Sequence, residues 1–209
     1  MKTTLLKIKG DWSEVVDDCR FTVGKPSLGH EPSREFKQRI LIAEHSPIRD
    51  IRFKWKWENI KSWIATHWVR HKWECFVKTQ RTDRTGIDRD DLPQGAVVDF
   101  TGDANVQSLI DTMRKRLCYQ ASPETRKYAE DLKAIITKVE PEIGDVLVPN
   151  CIYRGGCPEM QTCGLWDRFN DWCLMTEWGS KDDPASSLQA RYDAYHIYLD
   201  LKKMEAPNE

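Results

Sequence analysis

No run of about 18 apolar residues occurs in this sequence, and its start, Met1 to Leu6 followed by Lys7-Ile8-Lys9, lacks the apolar stretch and small-residue cleavage site of a secretory leader. A membrane span and an exported precursor are therefore not expected, and the cytoplasm is the expected compartment. An excess of charge of one sign is also missing. The 32 Lys+Arg stand against 33 Asp+Glu, a formal charge of −1, which argues against a general nucleic-acid or membrane-surface binder and against a disordered acidic tail. Closely spaced cysteine pairs are lacking too. Seven cysteines are an odd number for a disulfide framework in a reducing compartment. The C-x5-C-x5-C run of Cys151, Cys157 and Cys163, with Cys173 ten residues on, fits none of the common zinc or iron–sulfur spacings. Buried or free thiols are expected there, and no metal. Internal repeats and low-complexity tracts are absent.

What the chain does have is enough apolar matter for a core. Of its 209 residues 40% are hydrophobic and 31% charged, which bounds it to one or at most two domains. Nine tryptophans are many, and five fall between Trp55 and Trp73; aromatics at that density fill cores, interfaces or flat-ligand pockets. Thr3 to Ile8 reads as an opening strand. Asp11 to Glu14 cap a short helix through Cys19, and Pro32-Ser33 open a second over Arg34 to about Ala43. From Ile48 to Trp57 the period becomes two, with Ile51, Phe53, Trp55 and Trp57 alternating with Arg52, Lys54 and Lys56. From Ile60 it becomes helical, placing Trp63, Ile64, His67, Trp68 and His71 on one inward stripe. Glu74 to Gln80 reads as a second strand and Arg81 to Gly95 as a polar loop. Helices are expected over Ala104 to Leu117 and Glu124 to Val139, where Pro141 stops the chain. Val148 to Gly164 should be irregular. A Trp- and Phe-bearing segment from Leu165 to Trp178, a polar linker at Gly179 to Pro184 and a last helix from about Ser186 to Lys203 complete the reading.

Four constellations carry possible chemistry. Arg70-His71-Lys72 concentrates cationic donors where a phosphate or an anionic flat ring could bind, although a solvated basic helix end gives the same pattern. His45 stands in a helix-to-strand turn before Ser46-Pro47, a place where histidine often makes only local hydrogen bonds. Asn105, Leu109, Thr112 and Arg116 fall near one helix face, able to present an amide and a guanidinium to one ligand or simply to form an amphipathic helix. The cysteine run is the fourth.

Taken together, these residues resemble the flavin-dependent thymidylate synthases, the ThyX family, whose hallmark is R-H-R-x(about 7)-S-x-R. Here it reads Arg70-His71-Lys72, six intervening residues, then Thr79-Gln80-Arg81. The family's other intervals recur as well. His45 precedes Arg70 by twenty-five residues, Arg89 precedes Leu92-Pro93 by three, Asn105 follows Leu92 by thirteen, and Arg116 follows Asn105 by eleven. Leu117-x3-Ala121-x2-Glu124-x-Arg126 repeats a further family pattern. The resemblance covers roughly residues 40 to 140.

The resemblance implies an α+β fold with a central antiparallel or mixed sheet flanked by helices. It implies a flavin and nucleotide domain over residues 1–149, with the Cys-bearing 150–209 as a helical extension packed on it. It implies FAD as cofactor, NADPH and methylenetetrahydrofolate as co-substrates, dUMP as the partner nucleotide, and a homotetramer whose sites are shared between subunits. His45, Arg70, His71, Lys72, Asn105 and Asp111 would serve the flavin. His67, Thr79, Gln80, Arg81, Arg89 and Arg116 would serve the nucleotide, and Arg116, Thr79 and His45 would stand at the reacting centre. The Trp55 to Trp73 group would be the wall of the flavin pocket or the core behind it. Departures are visible: Lys72 replaces an Arg, Thr79 aligns with the hallmark Ser only across a one-residue deletion, and Gln107 and Asp111 stand where the family has an Arg and a neutral polar residue. The link from hallmark to Arg89 is also short, which suits a compact, phage-like form.

Overall fold

A computed structural model describes residues 2–176 and 187–205. The linker expected at Gly179 to Pro184 lies outside the described residues, as do Trp178 and Ser186. Four strands, β1 (Lys2–Lys9), β2 (Arg52–Lys61), β3 (Glu74–Val77) and β4 (Val97–Asn105), form one sheet in the order β1-β2-β4-β3. Every pairing is antiparallel, and the fold is α+β.

The alternation read in β2 is the organising feature of the sheet. Phe53, Trp55 and Trp57 are fully buried, while Arg52, Lys54 and Lys56 face the other way. Opposite them on β4, Trp57 pairs with Phe100 and Trp55 with Gly102. A Cβ at Gly102 would lie 2.3 Å from the Trp55 indole, so glycine is needed for the ring to lie flat on the neighbouring strand. The opposite face is laced with ion pairs. Asp103 is nearly buried and accepts from Lys9 at 2.6 Å and from Arg52 at 2.9 Å.

The aromatic face is covered by α3 (Ser62–Trp68), α5 (Val106–Arg116) and α6 (Pro123–Val139). Buried Trp68 meets Trp57 at 4.8 Å between centroids and stacks on Trp73 at 5.8 Å. The tryptophan group is thus mostly core. Trp55, Trp57 and Trp68 are 0% exposed, and a substituent that large contributes about 2–3 kcal/mol each by burial.

Several expectations change at this level. β2 continues three residues beyond Glu58, across an irregularity where Asn59 adopts φ 57°, because its N–H finds the Asp99 carboxylate. α3 consequently starts later and stops at Trp68, so His71 lies in the turn before β3 and not on the helix stripe. Strand β4 was not anticipated, since Val97-Val98-Asp99-Phe100 is short and the following Thr-Gly-Asp reads as a turn. Arg81 to Gly95 contains a helical turn, α4 (Thr82–Thr85), and a short 3-10 turn at Arg89–Asp91. Pro141 does not merely end α6; it is the first residue of α7 (Pro141–Val146). The stretch expected to be irregular includes α8 (Asn150–Arg154).

The remaining helices are α1 (Trp12–Phe21), capped by the Asp11 carboxylate, α2 (Arg34–Ile42), capped by Ser33, α9 (Leu165–Met175) and α10 (Leu188–Glu205). α8, α9 and α10 pack on one another, and α10 also touches α7. Buried Arg191 of α10 donates to the carbonyls of Ile152 at 2.6 Å and Tyr153 at 2.9 Å, satisfying the end of α8. No helix among the described residues is long and apolar enough to cross a membrane.

Candidate active site

The C-terminus of α5 meets the turn after α3, and there four of the expected residues converge. Arg116 donates from Nε to His71 Nε2 at 2.7 Å and from Nη2 to the carbonyl of His67 at 2.6 Å. Its guanidinium lies 5.8 Å from the centre of the Trp68 ring. Nη1 has no protein acceptor among the described residues. Arg70, exposed in the turn, adds its charge to the same spot. Burial and then Arg70 depress the Arg116 pKa, so the site favours an anion or an electron-rich oxygen that would relieve two adjacent cations.

The two histidines are fixed by different partners. His71 accepts at Nε2, so its proton sits on Nδ1; burial and then Arg116 bring its pKa down to about 4, and the ring is neutral. His67 Nδ1 lies 2.8 Å from the hydroxyl of fully buried Thr125, whose oxygen in turn receives the Ser122 hydroxyl at 2.8 Å. Burial, then Arg116 and Arg70, lower the His67 pKa as well. Thr125 and Ser122 were not singled out in the sequence as site residues. Their signal was the cap at Ser122-Pro123 and the variable position of the E-x-R pattern.

A second group lies at the start of α5. Asn105 is its N-cap, its side-chain oxygen accepting from Ser108 N–H at 2.8 Å, which leaves the amide NH2 for a ligand. His45 is exposed in the turn that follows α2. Between them stands Glu44, which accepts from Gln107 at 2.7 Å and forms an ion pair with Arg114. Asp111 lies 3.6 Å from Arg114 and accepts from Gln107 at 3.4 Å, so its carboxylate is balanced within the chain. Glu44 and Arg114 were missed because an ion pair between residues 70 apart leaves no local pattern.

The hallmark's second half goes elsewhere. Thr79 and Gln80 line a cavity of about 230 Å³ with Asn59, Lys78, Ile87 and Asp99. Neither His71 nor Arg116 lines it. Arg81 is exposed and forks onto Asp83 with two bonds of 2.9 Å. Arg89 is exposed in the 3-10 turn, its backbone N–H on Thr82. Within one chain, then, Thr79, Gln80, Arg81 and Arg89 form a group apart from Arg70, His71 and Arg116.

Burial makes several of the thiols poor nucleophiles. Burial raises the thiols of Cys75 and Cys118, and takes Cys151 to about 12 and Cys173 to about 11. Among the described residues no three His, Cys, Asp or Glu side chains are grouped as a metal ion would need.

Residues 87–142 match the family model of thymidylate synthase complementing protein. The match includes Arg89, Asn105, Asp111 and Arg116, and leaves Arg70-His71-Lys72 outside. Among curated proteins the sequence finds no match. Solved structures are similar in fold. The ThyX of Helicobacter pylori, solved with FAD and dUMP, superposes with a TM-score of 0.59 at 11% identity, over 71% of this chain and 100% of that one. The UMP/dUMP methylase PolB of Streptomyces cacaoi, bound to 5-Br dUMP, gives 0.57 at 13% identity, over 69% of this chain and 93% of that one. The likeness to both is one of fold, and it is consistent with the ThyX architecture expected from the hallmark intervals.

Proposed function

We propose that the chain is an FAD-dependent thymidylate synthase. It would convert dUMP to dTMP, with methylenetetrahydrofolate as carbon donor and NADPH as reductant, releasing tetrahydrofolate and NADP. The observation that carries this reading is the meeting of Arg116 with His71 and His67. Arg116, up to 49 residues away in sequence, comes within hydrogen-bond distance of both His71 and His67, and all three stand at positions the family resemblance selects.

The residues present suit an anionic flavin dinucleotide. Arg70 and Lys72 are exposed cations with no ion pair among the described residues, Asn105 keeps a free amide NH2, and the one ill-placed acid, Asp111, is balanced by Arg114. Arg70, His71, Lys72, Asn105 and His45 would hold the cofactor. FAD when bound would supply the hydride chemistry that no side chain here can.

The chain's own groups bind and polarise. Arg116, fixed on two of its nitrogens, presents Nη1 to a uracil carbonyl or the nucleotide phosphate, and being already fixed it loses little entropy on binding. His67, bonded through Nδ1 to Thr125, keeps Nε2 for a polar group of the nucleotide. His71 stays neutral and orients Arg116. Thr79, Gln80, Arg81 and Arg89 would reach the nucleotide of a neighbouring subunit, which accounts for their separation from Arg116 within one chain and fits a homotetramer with shared sites.

The test is direct. The purified protein should be yellow or take up FAD, and with dUMP, NADPH and methylenetetrahydrofolate it should yield a nucleotide one CH2 heavier than dUMP. A hydroxymethylated product would replace this reading with a pyrimidine hydroxymethylase. Failure to bind FAD at all would leave a non-catalytic relative.

A further inference from the structure

Glu44 occupies the position after the end of α2 where the backbone turns left-handed, at φ 50°. The turn is a Schellman motif: Glu44 N–H bonds the Leu41 carbonyl at 3.2 Å and His45 N–H the Ile40 carbonyl at 3.3 Å. Glycine adopts this geometry without strain, and a glutamate does not. Its side chain, however, is fully engaged. The carboxylate accepts from both terminal nitrogens of Arg114 and from Gln107.

Arg114 is in turn held from the other side. Its guanidinium lies 3.5 Å above the Tyr153 ring of α8, and its charge acts on buried Tyr192 of α10. α8 itself is fixed by Arg191 of α10, which bonds the Ile152 and Tyr153 carbonyls. A continuous set of contacts therefore runs from α10 through Tyr153 and Arg114 to Glu44, the residue before His45. Backbone strain at Glu44 is tolerated because the surrounding contacts over-determine it.

We propose that Glu44 and Arg114 are positioning residues, and that the C-terminal helices α8 and α10 serve the site by clamping the His45 turn through them. This rests on the reading in which His45 faces the flavin. It gives residues beyond 149 a task in cofactor binding that their distance in sequence conceals. It also accounts for Gln107, which here anchors Glu44 and does not offer a cation to the cofactor.

The test uses full-length protein and three variants: Arg114→Lys, which keeps the charge and loses the planar fork; Tyr153→Leu, which removes the ring under it; and the double variant Glu44→Gly/Arg114→Met. The double variant leaves no buried charge unpaired and puts glycine where the backbone favours it, so it folds even if a single variant does not. Hydrogen exchange of the amides of residues 43–49 should accelerate at least tenfold in each folded variant. FAD affinity, read by flavin fluorescence, should fall at least tenfold, with a shift in the bound flavin's visible spectrum. Leu132→Ala, a core truncation far from the turn in sequence, serves as control and should lower the melting temperature without changing the spectrum. FAD affinity within twofold of wild type in the double variant would overturn the proposal. If wild-type protein binds no FAD, the flavin reading fails, and the exchange measurement still decides whether the clamp holds the turn.

Discussion

Arg116 works because two of its nitrogens are committed to protein acceptors and one is not. Arg116→Ala removes a charged hydrogen bond worth about 1.5–3 kcal/mol, so dUMP affinity should fall by roughly 10- to 150-fold in equilibrium binding. Affinity within a factor of two of wild type would mean the nucleotide lies elsewhere. His71 gives a stability signature of its own. The unfolded chain takes up its imidazole proton near pH 6.5, and the folded chain only near 4, because burial and then Arg116 disfavour the charged ring. The stabilising contribution is therefore complete above about pH 6.5 and declines as pH falls toward 4, by up to about 3 kcal/mol. Urea unfolding of wild type and His71→Gln across that window should show the difference between them narrowing at low pH; a constant difference would refute the neutral, buried assignment. The resemblance gave His71 to the flavin and Arg116 to the nucleotide, and that the two bond to each other within one chain was not legible until the end of α5 met the turn after α3.

Strand β4 carries the sheet, lying between β2 and β3, and it is the element the sequence concealed. Its Gly102 looks like a turn signal when read alone. In the sheet it is the gap into which Trp55 fits. Gly102→Ala should cost about 2–3 kcal/mol in chemical denaturation, since neither the indole nor the strand backbone can retreat from a new methyl group; a loss under 0.5 kcal/mol would mean that the Trp55 ring moves freely. The strands and helices with strong periods, β2, α2, α5 and α6, were legible because one face of each is buried in the core. α3 was read too long because the alternating Trp57 and Ile60 share a register with both a strand end and a helix start. There the Asn59 irregularity, fixed by Asp99 from another strand, decided the matter.

At the scale of the whole molecule, the separation of Arg81 and Arg89 from Arg116 bears on assembly. If sites are shared between subunits as proposed, an Arg81→Ala protein and an Arg116→Ala protein, each inactive, should regain part of the wild-type activity when mixed and allowed to exchange subunits. No recovery, with exchange shown by mass, would place a complete site in one chain. The sequence by itself determined the α+β class, the aromatic and charged faces of β2 and the helix caps at Ser33 and Ser122, because each rests on neighbouring residues or on fixed intervals along the chain. The tertiary structure alone decided which of the expected site residues converge, which nitrogen of His71 accepts from Arg116, and that α8 and α10 reach the His45 turn through Arg114 and Glu44. Those outcomes depend on contacts between residues tens of positions apart, where burial and a single shared hydrogen bond set the chemistry and no periodicity records it.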